Sequence, residues 1–128
     1  MIIETQILSA VIEYLNEQCD LFTPVLTGGL SVRTGINAEI VPGYAKSDYL
    51  NGNVFQRLPI LVLIKHEKHR TAMETAFTLS DTVRNITRGK VKIHKSVSGI
   101  SMGSAPEFVQ KNGTDYIYSF IFNIDYLQ

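Results

Sequence analysis

The chain predicts an α+β fold: one twisted, largely antiparallel or mixed β-sheet with two helices packed on it. Three observations predict this. Two stretches space their apolar residues for helices, residues 3–18 and 68–90. Short apolar or alternating runs fill the chain between and after them, enough for five or six strands. The order is therefore helix, strands, helix, strands, which suits a sheet with helices laid against it. At 128 residues the length fits one domain, residues 1–128, with a sizeable core.

Taken in order, "IETQILSAVIEYLNEQ" places Ile7, Leu8, Val11, Ile12 and Leu15 on one helical face. Pro24 and Gly28-Gly29 interrupt regular structure after it. Residues 30–34 and 37–42 are strand candidates. Residues 43–57, "GYAKSDYLNGNVFQR", read as the longest irregular stretch, with Asn51-Gly52 as a turn signal. "LPILVLIKH" is apolar at both alternations from Leu58 to Ile64, as in a strand covered at least partly on both faces.

In the second helix, Thr71 with Glu74 fits a capping box, and Met73, Ala76, Phe77, Ser80, Val83 and Ile86 form the expected inner stripe. Arg84 and Arg88 suit the negative end of the helix dipole, and Gly89 suits the cap. Val91, Ile93 and Val97 alternate at odd positions and Ile100 and Met102 at even ones, so a bulge is expected at Ser98-Gly99. Pro106 places its strand at an edge. An Asn112-Gly113 turn would pair Gln110 with Asp115 and Phe108 with Ile117. The strand "DYIYSFIFNIDYL" follows. Tyr116, Tyr118, Phe120, Phe122, Ile124 and Tyr126 lie on one side of it, and such a strand must bury at least one face.

Composition narrows the function. Twelve acids balance twelve bases, which argues against a dedicated nucleic-acid binder. The charges are segregated: residues 1–64 carry three bases and six acids, residues 65–95 eight bases and three acids, and residues 96–128 one base and three acids. A molecule with acidic and basic sides suits head-to-tail self-association. Cys19 is the single cysteine, so no internal disulfide is expected and a reducing site of synthesis is. Neither a signal peptide nor a membrane span is expected from the apolar runs.

No catalytic motif emerges, and the chain is expected not to be an enzyme. His66 and His69 lie three apart across a strand-to-helix junction, without further ligands in suitable spacing. They and His94 read as surface histidines, and Cys19 as a packing residue. No metal or other cofactor is expected. The candidate interface is the 43–57 stretch, where Tyr44, Lys46, Tyr49, Phe55 and Arg57 are residue types that anchor protein contacts. A small α+β ligand-binding or regulatory domain is the alternative class.

The plan resembles the small neck and tail-completion proteins of long-tailed bacteriophages: the tail terminators and the phage minor capsid protein group. The resemblance rests on the opening amphipathic helix, on "RLPILVLIKHEKHRTAMETAFTLSDTVRNI" as strand and helix, and on the closing hairpin "GSAPEFVQKNGTDYIYSFIFNIDYL". It covers essentially the whole chain. It implies a tail-terminator-like fold and a structural role in the virion. The implied assembly is a homo-oligomeric, commonly hexameric ring that caps the tail tube and joins it to the head. The implied partners are further copies of the chain, the tail tube and head-connector proteins. DNA would pass through without specific binding, no membrane would be involved, and synthesis would occur in the bacterial host cytoplasm.

Overall fold

The structure is a computed structural model, and it describes residues 2–28, 34–41, 55–86 and 94–127. Helix α1 spans Ile3–Gln18 and helix α2 spans His69–Asn85. The strands are β1 (Val25–Leu26), β2 (Gly35–Ile40), β3 (Phe55–His66), β4 (Val97–Met102), β5 (Glu107–Asn112) and β6 (Asp115–Leu127). They form one mixed sheet in the order β1-β2-β3-β6-β4, with β5 also on β6. Among the described residues only β1 and β2 pair parallel; the other pairings are antiparallel. The expected α+β architecture is therefore the one observed.

Register explains where the core sits. Ile60 faces Phe122, Val62 faces Phe120 and Ile64 faces Tyr118 across β3 and β6. Directly opposed residues share a sheet face, and β2 continues the row with Ile36 against Ile64 and Ala38 against Val62. These side chains are buried. Helix α1 adds Ile7, Leu8, Val11 and Leu15, and helix α2 adds Ala72, Ala76, Leu79 and Val83. The aromatic face of β6 is the face the helices cover, so the buried face that its alternation called for is the aromatic one.

Strand β6 is hydrogen-bonded along both edges. One edge belongs to β3; the other is shared by β5, opposite Asp115–Ser119, and β4, opposite Phe122–Tyr126. Between them the chain bends at Gly103-Ser104. Both amides donate to the Ile121 carbonyl, at 2.8 and 2.9 Å, and the Ser104 hydroxyl accepts from the Ile121 amide at 3.0 Å. A Cβ on Gly103 would meet the Ile121 carbonyl at 3.2 Å and its side chain at 3.1 Å. The close approach therefore selects glycine.

Several local expectations are corrected. β3 begins at Phe55, so Phe55 and Arg57 belong to a strand and not to an irregular stretch. Extending β3 lets Phe55, Gln56 and Arg57 pair with Leu127, Tyr126 and Asp125. β2 begins at Gly35, two residues before the expected start, and ends at Ile40. Of the 30–34 candidate, residues 30–33 lie outside the described set, and Thr34 lies outside the strand. The hairpin turns at Gly113-Thr114, with Asn112 opposite Asp115, Gln110 opposite Ile117 and Phe108 opposite Tyr118. Gly113 has φ +64° and no non-glycine residue described has positive φ. A positive φ at the first central position alone is the pattern of a type II′ turn. A shift between Phe108 and Gln110 then absorbs one residue.

In α2 no capping box forms. The helix starts at His69, so Thr71 lies inside it, and Lys68 is the N-cap without a side-chain cap bond. Glu74 instead accepts from Arg70 at 2.9 Å. The buried stripe is Ala72, Thr75, Ala76, Leu79, Ser80 and Val83, while Met73 and Phe77 face solvent. Small residues at 72, 75 and 76 let the helix approach the sheet closely, and that packing outweighs the bulk of Met73 and Phe77. Arg88, Gly89, Val91 and Ile93 lie outside the described residues. The bulge in β4 falls between Val97 and Gly99, where the alternation changes parity.

Candidate functional site

The expected interface residues are only partly placed. Tyr44, Lys46 and Tyr49 lie outside the described residues. Phe55 is the first residue of β3, opposite Leu127. Arg57 stands on the same strand, directly opposite Asp125. Its Nε donates to Asp125 Oδ1 at 2.9 Å and an Nη to Oδ2 at 3.4 Å. The pair is solvated, with 64% of the Arg57 side chain exposed. An arginine in this setting is an exposed surface group with a cross-strand partner.

The histidines act locally. His66 Nδ1 accepts the Lys68 amide at 2.9 Å, just ahead of α2, and its ring lies edge-on to Phe22. His94 Nδ1 accepts the Ser96 amide at 3.1 Å, at the turn into β4. Each ring satisfies an amide that no helix or strand partner reaches. Cys19 closes α1 and sits 3.1 Å from Thr82 Oγ1, whose own hydroxyl donates to the Thr78 carbonyl. The thiol is therefore the donor to Thr82, joining the two helices. Among the described residues no group of three metal-ligating side chains stands together.

His69 is different. It is exposed at the first turn of α2, yet its ring stacks on Tyr116 with centroids 4.6 Å apart and planes 4° apart. Its Nε2 lies 2.6 Å from the Tyr118 hydroxyl. Phe108 of β5 tilts against His69 and meets the Tyr118 ring edge-on. Lys111 places its ammonium 5.0 Å from the centre of Tyr116. An aromatic cluster with a cation beside it thus crowns the junction of β5, β6 and α2, and Phe108 is 49% exposed within it. Sequence reasoning missed this cluster because it placed no bulge between Phe108 and Gln110. Phe108 opposite Ile117 would have pointed to the other sheet face. The alternation of Tyr116 and Tyr118 was the available signal.

At the other side of the sheet, α1 and β1 enclose an open groove of about 510 Å³. Ile12, Val25 and Leu26 supply its apolar surface, with Glu13 and Glu17 on the helix side. The Asn16 side chain holds β1 in place. Its Oδ1 accepts the Val25 amide at 2.7 Å and its Nδ2 donates to the Val25 carbonyl at 3.2 Å. A side-chain amide here substitutes for a neighbouring strand.

Among the described residues two carboxylates are buried, Glu4 and Asp115; Glu4 of α1 accepts the Tyr126 hydroxyl at 2.6 Å. This bond ties the first turn of the first helix to the end of β6. Burial of a carboxylate is tolerable only with such partners. No described helix is long and apolar enough to cross a membrane.

No protein-family model matches the sequence. No curated protein matches it either. Among solved structures, a chain of "Virion of native gene transfer agent (GTA) particle" superposes with a TM-score of 0.50 and 14% identity. The match covers 98% of this chain and 92% of that one. The class defined by the fold is thus α+β, with one mixed sheet and two helices. That fold, nearly end to end, is shared with a component of a gene transfer agent virion.

Proposed function

We propose that this chain is a structural protein of a phage-type virion, a subunit of the neck ring that ends the tail tube and joins tail to head. The observation that carries the reading is the near-complete match of fold to a chain from a virion particle. The closing hairpin supports it, since it is the part of the sequence that most resembles tail terminators. Two unlike surfaces at opposite sides of one sheet also support it, because a closed ring is built from unlike contacts. In this reading the partners are further copies of the chain, the tail tube and the head connector. The ring needs no catalytic group and no cofactor. Balanced charge suits a passage through which DNA moves without being held.

The test is deletion of this chain from its parent particle, with the products viewed by electron microscopy. Tails of uncontrolled length, or full heads and tails that fail to join, are the expected result. Supplying the chain in trans should restore normal particles. Particles of normal length, joining and infectivity in the deletion would overturn the proposal.

A further inference from the structure

We infer that the two lateral surfaces form one self-contact. The aromatic–lysine face of β5 in one copy docks into the acid-rimmed groove between α1 and β1 of the next. This rests on the ring reading and specifies its surfaces. The groove offers Ile12, Val25 and Leu26, the last 64% exposed. Glu13 and Glu17 are one helical turn apart, so both carboxylates stand on the same rim. Residues 2–28 contain no lysine or arginine, so no cation of this segment neutralises them. The bonds from Asn16 to Val25 keep the groove floor fixed.

The opposite surface is complementary. Phe108 faces Tyr118 and Lys111 faces Tyr116, so the aromatic ring and the ammonium share one side of β5. Glu107 faces Ser119 and belongs to the other side of the sheet. Lys111 holds its ammonium 5.0 Å from the Tyr116 ring centre, with the Phe108 ring tilted against the same tyrosine. Apolar meets apolar and ammonium meets two carboxylates when groove and cluster belong to different copies. Like surfaces brought together would oppose Glu13 and Glu17 to themselves, so the contact favours head-to-tail order over a two-fold dimer. β1 and β5 lie at opposite sides of the sheet. Each copy can therefore use both surfaces at once.

The test uses the full chain, by native mass spectrometry over a concentration series and by binding to tails purified from particles lacking it. Phe108→Ser should weaken self-association about thirty-fold, the scale of a hot-spot truncation. Lys111→Glu alone, or Glu13→Lys with Glu17→Lys, should weaken it by about tenfold, more at low salt. All three charge reversals together should restore it, a recovery that a folding defect would not show. Assembly that is normal in every variant overturns these surfaces and leaves the ring reading standing. So does weakening by the groove variants alone, which would point to another occupant of the groove. A parent chain that assembles neither alone nor on tails overturns both.

Discussion

Leu79 and Phe77 lie two positions apart on α2, and their fates are opposite. Leu79 is fully buried, and Phe77 is about half exposed. Leu79→Ala should cost about 2–5 kcal/mol in chemical denaturation. Phe77→Ser should stay within about 0.5 kcal/mol. A reversal of that order would return Phe77 to the inner stripe expected from sequence. Ala76, Ser80, Val83 and Ile86 are buried as expected; Met73 and Phe77 were misplaced because they outweigh Ala72 and Thr75 in any reading by hydrophobicity alone. Contact with the sheet is decided by fit. Arg57 makes a second residue-scale case. Its pair with Asp125 is exposed, and such pairs contribute at most about 1 kcal/mol. Arg57→Ala should therefore leave the thermal midpoint nearly unchanged. If the variant also impairs particle assembly, Arg57 contacts a partner in the particle, since stability cannot account for the loss.

At the scale of elements, the long strands and both helices were legible because each repeats its period over many residues. α1 matches its expected span, and the burial of Tyr118, Phe120, Phe122, Ile124 and Tyr126 follows from their alternation. The hairpin register was not legible. Asn-Gly is the stronger local signal, but the observed turn keeps Phe108 and Lys111 on the face of Tyr118 and Tyr116. The Asn112-Gly113 register differs from the observed one by two residues and would leave Lys111 on that face; the bulge between Phe108 and Gln110 is what brings Phe108 round to join it. Gly113→Ala should accordingly destabilise by about 1–2 kcal/mol, because alanine resists positive φ. Asn112→Ala tests the alternative. A larger loss there than at Gly113 would contradict the assigned turn. The extension of β3 to Phe55 was hidden for a similar reason. Phe55-Gln56-Arg57 has no apolar run, and pairing with the end of β6 organises it.

For the whole molecule, charge segregation raised self-association as an expectation, and the proposed contact takes it up. The groove and the aromatic cluster, however, are each assembled from segments distant in sequence. Glu13 and Leu26 meet through Asn16, and His69 meets Phe108 through Tyr116 and Tyr118. No local pattern records such meetings. The double-edged pairing of β6 carries one more consequence, in time. β3 can pair with β2 early, through a moderate loop, but its other edge waits for a strand beyond α2, β4 and β5. Closing so many long loops before any reward slows folding. Refolding should therefore be slow for a domain of this size, and the rate-limiting barrier should include the docking of β6 on β3. In stopped-flow refolding, Phe120→Ala should retard folding, while Leu8→Ala should chiefly speed unfolding. Until that docking occurs, β3 presents an unsatisfied apolar edge to its neighbours. The period of greatest aggregation risk for this protein thus falls before the sheet closes, and it should lengthen with any change that delays β6.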